Sequence, residues 1–162
     1  MNLGASRADI TVINGLMHGY ELKSKSDNLL RLPAQVNFYS SVMDKVTLVV
    51  SECHASAAEK IIPVWWGVKI ATEGRRNAVH LHTERLNRMN PNLDKVALAM
   101  LLWKEEMLSI LANHGLGRGL KSKPRRILWG MVAECLEINH LRDEVRSKLK
   151  ARTNWRADKR LS

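Results

Sequence analysis

The sequence predicts an α/β domain with a mixed sheet flanked by helices, followed by a basic, all-helical region. Short apolar runs bounded by turn residues fill residues 1–88, whereas longer helical patterns fill residues 89–162. The excess of lysine and arginine also lies in the second region. These observations place the domain boundary between residues 88 and 89.

The first region begins with a predicted hairpin. Segments 9–14 and 18–24 are strands joined by a turn that contains Asn14-Gly15. Pro33 suits the first turn of a helix, which is predicted to run to about residue 44. The elements predicted after it are a buried strand, a short helix that stops near Pro63, a strand and an edge strand, over 46–50, 55–62, 65–71 and 77–82.

The second region starts where Asn90-Pro91 interrupts the chain. A helix is predicted over residues 93–113 and is ended by Gly115. A loop rich in glycine and lysine follows at 115–124. The last two predicted helices cover residues 125–137 and 140–152.

Composition excludes several classes of protein. The chain has 162 residues and is 45% hydrophobic, which is too apolar for a disordered chain. No apolar run approaches the roughly 20 residues of a membrane helix, and no signal peptide is recognisable. Two distant cysteines without a CxxC pattern indicate free thiols, so a cytoplasmic location is expected.

The charge distribution favours nucleic acid as a partner. The net charge is +10, and 13 Lys/Arg face 5 Asp/Glu from Arg118 to the end. A solvated, solubilising surface is the alternative explanation. The cations expected to contact nucleic acid are Arg7, Lys25, Lys121, Lys123, Arg125, Arg126, Arg142 and Arg146.

Two carboxylates and an ammonium form the candidate site. Glu21 and Lys23 lie two residues apart on a strand and therefore project from the same face. Asp9 lies opposite Glu21 only if the hairpin has a three-residue loop, Asn14 to Leu16, or a bulge. We therefore predict an odd-length loop or a bulge at this turn.

Neighbouring carboxylates repel unless a cation lies between them, and Mg²⁺ or Mn²⁺ would resolve that conflict. Such an ion lowers the pKa of a bound water and neutralises phosphoryl oxygen, while Lys23 would orient the water. In outline this is a phosphodiesterase site. The alternative is a set of ordinary strand charges, in which Glu21 pairs with Lys23 or Lys25.

Asp9 with Glu21-Leu22-Lys23 resembles the PD-(D/E)XK nuclease superfamily. Gln35 and Tyr39, spaced i and i+4, look like the Gln-xxx-Tyr pair of these enzymes. Further stretches resemble one uncharacterised bacterial and phage branch: RLPAQVNFY, Trp65-Trp66-Gly67, Asn90-Pro91 and LLWKEE.

The resemblance implies a restriction-endonuclease-like core and a Mg²⁺- or Mn²⁺-dependent endonuclease or exonuclease that hydrolyses DNA, in repair or phage defence. It implies that Asp9, Glu21 and the Leu22 carbonyl hold the metal. Lys23 would position water, and Gln35 and Tyr39 would support the site.

The chain departs from that superfamily at its start. Only eight residues precede Asp9, where the superfamily core has a helix. An exposed apolar sheet face usually finds a partner, so we expect a homodimer or a partner subunit that covers it. The alternative function is a non-catalytic DNA-binding or assembly module that keeps the nuclease fold.

Overall fold

A computed structural model describes residues 2–3 and 6–152, with side chains from residue 8 to 152 except Asn77. The chain forms two units, Met1–Asp94 and Lys95–Ser162, called unit 1 and unit 2. The boundary between the units follows Asp94, later than the predicted 88/89, because the intervening residues are hydrogen-bonded to unit 1. The Asn90 amide nitrogen donates to the Ser40 and Met43 carbonyl oxygens over 2.7 and 2.9 Å.

Unit 1 is a mixed α/β unit with a five-stranded sheet and flanking helices, as predicted. The sheet order is β3-β4-β5-β6-β7, parallel between β4, β5 and β6 and antiparallel at both edges. The strands are β1 Asn2–Leu3, β2 Ser6–Arg7, β3 Ile10–Asn14, β4 Leu16–Lys23, β5 Lys45–Ser51, β6 Gly67–Glu73 and β7 Val79–Arg85. The helices are α1 Leu32–Val42 and α2 Glu52–Glu59, with a 3₁₀ turn at Arg75–Asn77.

Three predicted elements of unit 1 are displaced, and one of them is the strand predicted over 65–71, which covers Gly67–Glu73. The short helix begins at Glu52 rather than 55, because the chain passes from β5 into α2 through Ser51 in extended conformation. The edge strand covers Val79–Arg85 rather than 77–82. The 3₁₀ turn takes up the preceding residues, and Arg76 adopts a positive φ of 58° there.

The hairpin has the register that places Asp9 opposite Glu21. Ile10 pairs with Tyr20, and Asn14 pairs with Leu16 across Gly15. Gly15 has a φ of +70°, a conformation that glycine adopts without steric cost. The predicted odd-length turn is therefore confirmed.

The sheet has one covered face and one more open face. Right-handed connections between successive parallel neighbours put α1 and α2 on the same side of the sheet. That side holds the fully buried Met17, Val46, Leu48 and Val50. On the other side Ile10, Val12 and Leu22 remain 43–47% exposed.

Unit 2 contains four helices: α3 Lys95–Met100, α4 Lys104–Asn113, α5 Arg125–Cys135 and α6 Ile138–Ala151. The predicted single helix over 93–113 is therefore two helices. Trp103 is extended at ψ 159°, and its N–H donates to Glu106 Oε2 over 2.7 Å, which starts α4 afresh. The unit's core contains Leu98, Met107, Leu111, Leu128, Val132, Leu141, Val145 and Leu149, all fully buried.

Candidate functional site

A buried ion pair lies at the centre of the candidate site. Lys23 Nζ is 2.7 Å from Glu21 Oε1, and the side chains are 4% and 0% exposed. The same ammonium donates to Gln35 Oε1 over 2.9 Å. Strand β4 presents Glu21 and Lys23 on its covered face, and α1 brings Gln35 over them.

Asp9 and Tyr39 join the two hairpin strands to α1. Asp9 Oδ2 accepts the Leu22 N–H over 2.9 Å. The Tyr39 hydroxyl accepts the Asp9 N–H over 3.1 Å and donates to the Tyr20 carbonyl over 3.0 Å. Tyr39 is fully buried and fills the space above Gly19. These contacts hold the start of β3 against β4.

A cavity of about 500 Å³ opens beside this cluster. Asp27 and Arg31 contribute to its lining, and sequence reasoning assigned neither residue to the site. Asp27 accepts hydrogen bonds from the N–H and hydroxyl of Ser24. The charged and amide side chains that line the cavity are Asp9, Glu21, Lys23, Asp27, Arg31 and Gln35.

Burial controls the protonation of the site. Burial raises the pKa of Glu21, although the hydrogen bond from Lys23 opposes that rise. Burial and the nearby Glu21 charge also raise the pKa of Tyr39, so its hydroxyl stays protonated. Glu21 Oε2 is buried and accepts no hydrogen bond from the described residues. Glu21 and Lys23 are therefore enclosed, whereas Asp9, Asp27 and Arg31 are exposed at the cavity.

Both carboxylates of the cluster already have partners within the protein. The Lys23 ammonium already compensates Glu21, and Asp9 is engaged by a backbone N–H. Among the described residues, no group of three or more His, Cys, Asp or Glu side chains is placed to hold a metal ion. Mg²⁺ or Mn²⁺ binding by Asp9, Glu21 and the Leu22 carbonyl stays a prediction.

The expected nucleic-acid contacts divide into two groups. Lys121, Lys123, Arg125 and Arg126 are exposed and lie in one stretch of unit 2 together with Arg118, which sequence reasoning did not select. Charge density along the chain was the signal that could have found Arg118.

The other cations have polar partners or lie outside the described side chains. Lys25 Nζ lies 2.9 Å from Glu73 Oε2 in unit 1. On α6, Arg142 donates to Asn139 and Arg146 pairs with Asp143. The side chain of Arg7 is outside the described part of the structure.

Fold and charge define a two-unit protein, with a mixed α/β unit and a basic helical unit. The family model for Bacteriophage P4 protein cII matches residues 1–161, and the chain belongs to that family. A curated relative, "Protein cII" of Enterobacteria phage P4, is 27% identical over 146 residues. The match covers 90% of this chain and 54% of the relative, so the chain spans about half the relative's length. No solved structure matches the chain.

This family membership overturns the nuclease assignment. The chain is a member of the P4 cII family, not of the PD-(D/E)XK superfamily, and the expected DNA-hydrolysing enzyme is wrong. The restriction-endonuclease-like description of the core has no support either, although the mixed sheet stands. An Asp followed by a Glu-x-Lys on the next strand is a short pattern, and here it forms an internal ion pair.

Within the described residues, none of the helices has the length and apolar character needed to cross a membrane.

Proposed function

We propose that the protein binds nucleic acid without hydrolysing it, as a regulator whose output is occupancy of its target. The binding surface is the basic segment of unit 2, defined as residues 115–126. The single observation that carries the proposal is its run of five exposed cations without an acidic residue, namely Arg118, Lys121, Lys123, Arg125 and Arg126.

The charge of the whole chain is concentrated around this segment. Residues 95–162 contain 15 Lys/Arg and 7 Asp/Glu, a net charge of +8, whereas residues 1–94 contain 11 and 9, a net charge of +2. No Asp or Glu occurs between Glu106 and Glu134. A surface with one sign of charge attracts a phosphate backbone and releases its counterions on binding.

Local structure presents the cations in a defined place. Leu120 is 6% exposed and fixes the middle of the basic segment, while the residues on either side of it remain in solvent. The segment then enters α5 at its N-cap residue, Pro124, and no side chain forms a capping hydrogen bond at this end of the helix. Arg125 and Arg126 form the first turn of this helix, where backbone N–H groups and the helix dipole favour a phosphate.

The segment is a stronger candidate than the other basic residues. Arg146 on α6 is paired with an acidic neighbour, and Lys25 is paired with Glu73. Binding through these residues would first require those ion pairs to be exchanged. The basic segment has no acidic neighbour in sequence that could compete with phosphate.

The proposal is tested by fluorescence anisotropy with a labelled duplex of random sequence. The variant K121S/K123S/R125S removes three cations from the basic segment. The control K60S/R75S/R88S removes three exposed cations from unit 1 and has the same net charge. We expect the first variant to reduce the slope of log K against log salt by about 2.7, since each phosphate contact contributes about 0.9.

The control separates local contact from overall charge. If both variants lose affinity equally, the basic segment is not the binding surface and only net charge attracts the duplex. If the wild type itself does not bind at low salt, the proposed function is wrong.

We also propose a reducing compartment, the cytoplasm, because Cys53 and Cys135 are free thiols.

A further inference from the structure

The more open face of the unit 1 sheet carries an aromatic stack. His18 and Tyr20 project from this face of β4, with ring centroids 4.3 Å apart and planes 25° from parallel. His18 Nε2 is 2.9 Å from Thr47 Oγ1, and the Asn87 amide donates to the same hydroxyl over 3.0 Å. These bonds fix the orientation of the imidazole on the sheet surface.

Strand pairing defines which side chains share this face. The central row across the strands consists of Ile10, Tyr20, Thr47 and Gly67. The row on one side of it consists of Val12, His18 and Lys45. The row on the other side consists of Leu22, Val49, Lys69 and Thr83. We call these three rows the open face. Ile10, Val12 and Leu22 are between 43% and 47% exposed, so a ligand can reach the rim of the stack.

The charge of the open face suits a polyanion. Lys45 and Lys69 belong to the three rows, and no acidic residue does. Burial lowers the pKa of the His18 imidazole, and the nearby Lys45 charge lowers it further. The ring is therefore uncharged near neutral pH and available for stacking. Lys69 Nζ is oriented by a 2.9 Å hydrogen bond to Thr83.

We propose that the open face binds single-stranded nucleic acid, with bases stacking beside His18 and Tyr20 and phosphates near Lys45 and Lys69. His18 and Tyr20 are partly exposed, and accessible aromatic rings among cations are the usual platform for unpaired bases, since every base has a π face. A duplex hides its bases and gains nothing from such a surface. The inference rests on the proposed function for its ligand class, but it concerns a separate surface.

The occupant could instead be another protein, because the rim of the open face is apolar. The stacked rings and the lysines favour nucleic acid, since a protein partner would need acidic groups to meet Lys45 and Lys69. The test is designed so that the protein alternative gives a different result.

The experiment compares a labelled 12-nucleotide dT oligomer with a duplex of the same length on the full chain. Tyr20→Leu keeps an apolar side chain but removes the ring, and Tyr20→Phe keeps the ring. Val64→Ala, at an exposed position outside the open face, is the control. We expect Tyr20→Leu to weaken oligo-dT binding about tenfold, because stacking of one base on one ring contributes about a tenfold gain in affinity. Tyr20→Phe and Val64→Ala should remain within about twofold, and duplex affinity should not change.

Photocrosslinking gives a result that does not depend on a folded variant. Oligo-dT carrying 5-iododeoxyuridine should crosslink to the peptide that contains His18 and Tyr20 in the wild-type protein. If Tyr20→Leu binds oligo-dT as the wild type does and crosslinks fall only in residues 115–126, the open face is not a binding site, although the proposed function stands. If K121S/K123S/R125S retains full duplex affinity, the proposed function fails instead.

Sedimentation velocity covers the protein alternative. A wild-type chain that self-associates, and becomes monomeric on Ile10→Asp without any change in oligo-dT affinity, would assign the open face to a second copy and overturn the proposal.

Discussion

Lys23 Nζ lies 2.7 Å from Glu21 Oε1, and both side chains are almost completely buried. The two residues are neighbours on one face of β4, so the strand itself brings the opposite charges together. Gln35 accepts a second hydrogen bond from the ammonium. The pair links the sheet to α1. It engages the Glu21 carboxylate and the Lys23 ammonium with each other, whereas a hydrolytic site would need them to contact a substrate.

Removing the ammonium should strongly destabilise unit 1. Lys23→Met leaves Glu21 buried without its counter-charge, which costs on the order of 3 kcal/mol of unfolding free energy at pH 7. Urea denaturation measures the change, and Lys25→Met is the matched control because its partner Glu73 is exposed. We expect little change in the control and a partial recovery in the double variant E21Q/K23M. Equal effects of the two single variants would show that the buried pair has no special weight.

Glu21 should make the protein more stable as the pH falls toward 4.5. Burial raises the pKa of Glu21 above the ordinary value of 4.5. At a pH between 4.5 and the pKa of the folded state, the folded state therefore keeps a proton that the unfolded state has released. Stability is therefore highest below 4.5 for this group and declines as the pH rises through the folded pKa. The unfolding free energy of wild type minus that of Glu21→Gln should decrease with pH over this window.

Glu59→Gln, at an exposed position on α2, is the control for the Glu21 measurement. The stability difference for Glu21→Gln should decline with pH more steeply than the difference for Glu59→Gln. Equal slopes for the two variants would contradict the raised pKa of Glu21.

Glu106 should give the opposite pH dependence in unit 2. Although burial opposes it, hydrogen bonds from Arg152 and from the Trp103 N–H hold the pKa of Glu106 below its usual value. The group stabilises the fold above pH 4.5, and this contribution is lost as the pH falls through the folded pKa. Glu106→Gln should lose stability relative to the wild type at pH 7 and lose less at pH 3. Glu105→Gln, the exposed neighbour, should not follow this pattern.

Two glycines should respond oppositely to alanine. A Cβ at Gly19 would lie 2.6 Å from the Tyr39 ring, so Gly19→Ala should cost about 1–3 kcal/mol of unfolding free energy. A Cβ at Gly130, inside α5, would meet nothing within 4 Å, so Gly130→Ala should stabilise by about 0.5–1 kcal/mol. Thermal and urea unfolding measure both. A neutral Gly19→Ala would show that Tyr39 can move away from β4 at little cost.

Local rules predicted much of unit 1 from the sequence. The Asn14-Gly15 turn, the alternation along β4 and Pro33 at the start of α1 depend on neighbouring residues. The break between α3 and α4 depends on neighbouring residues only in part. It involves Glu106, which accepts the Trp103 N–H and also binds Arg152, a residue 46 positions away along the chain. Such a contact has no local signature.

The candidate site shows a similar limit. Residue spacing establishes that Glu21 and Lys23 share a face, but it does not tell whether they bind each other or remain available to a ligand. The outcome depends on Gln35, which accepts from Lys23 and helps enclose it. A short motif therefore predicted the grouping of side chains correctly and led to a wrong chemistry.

The number of residues in the turn at Gly15 determines which face of the sheet each side chain of β3 occupies. Because side chains alternate along a strand, adding or removing one residue there would slide β3 by one position and exchange its two faces. Ile10 and Val12 would then turn toward α1, and Asp9 would no longer lie opposite Glu21. Two inserted residues would preserve the alternation. Related chains are therefore expected to differ at this turn by even numbers of residues.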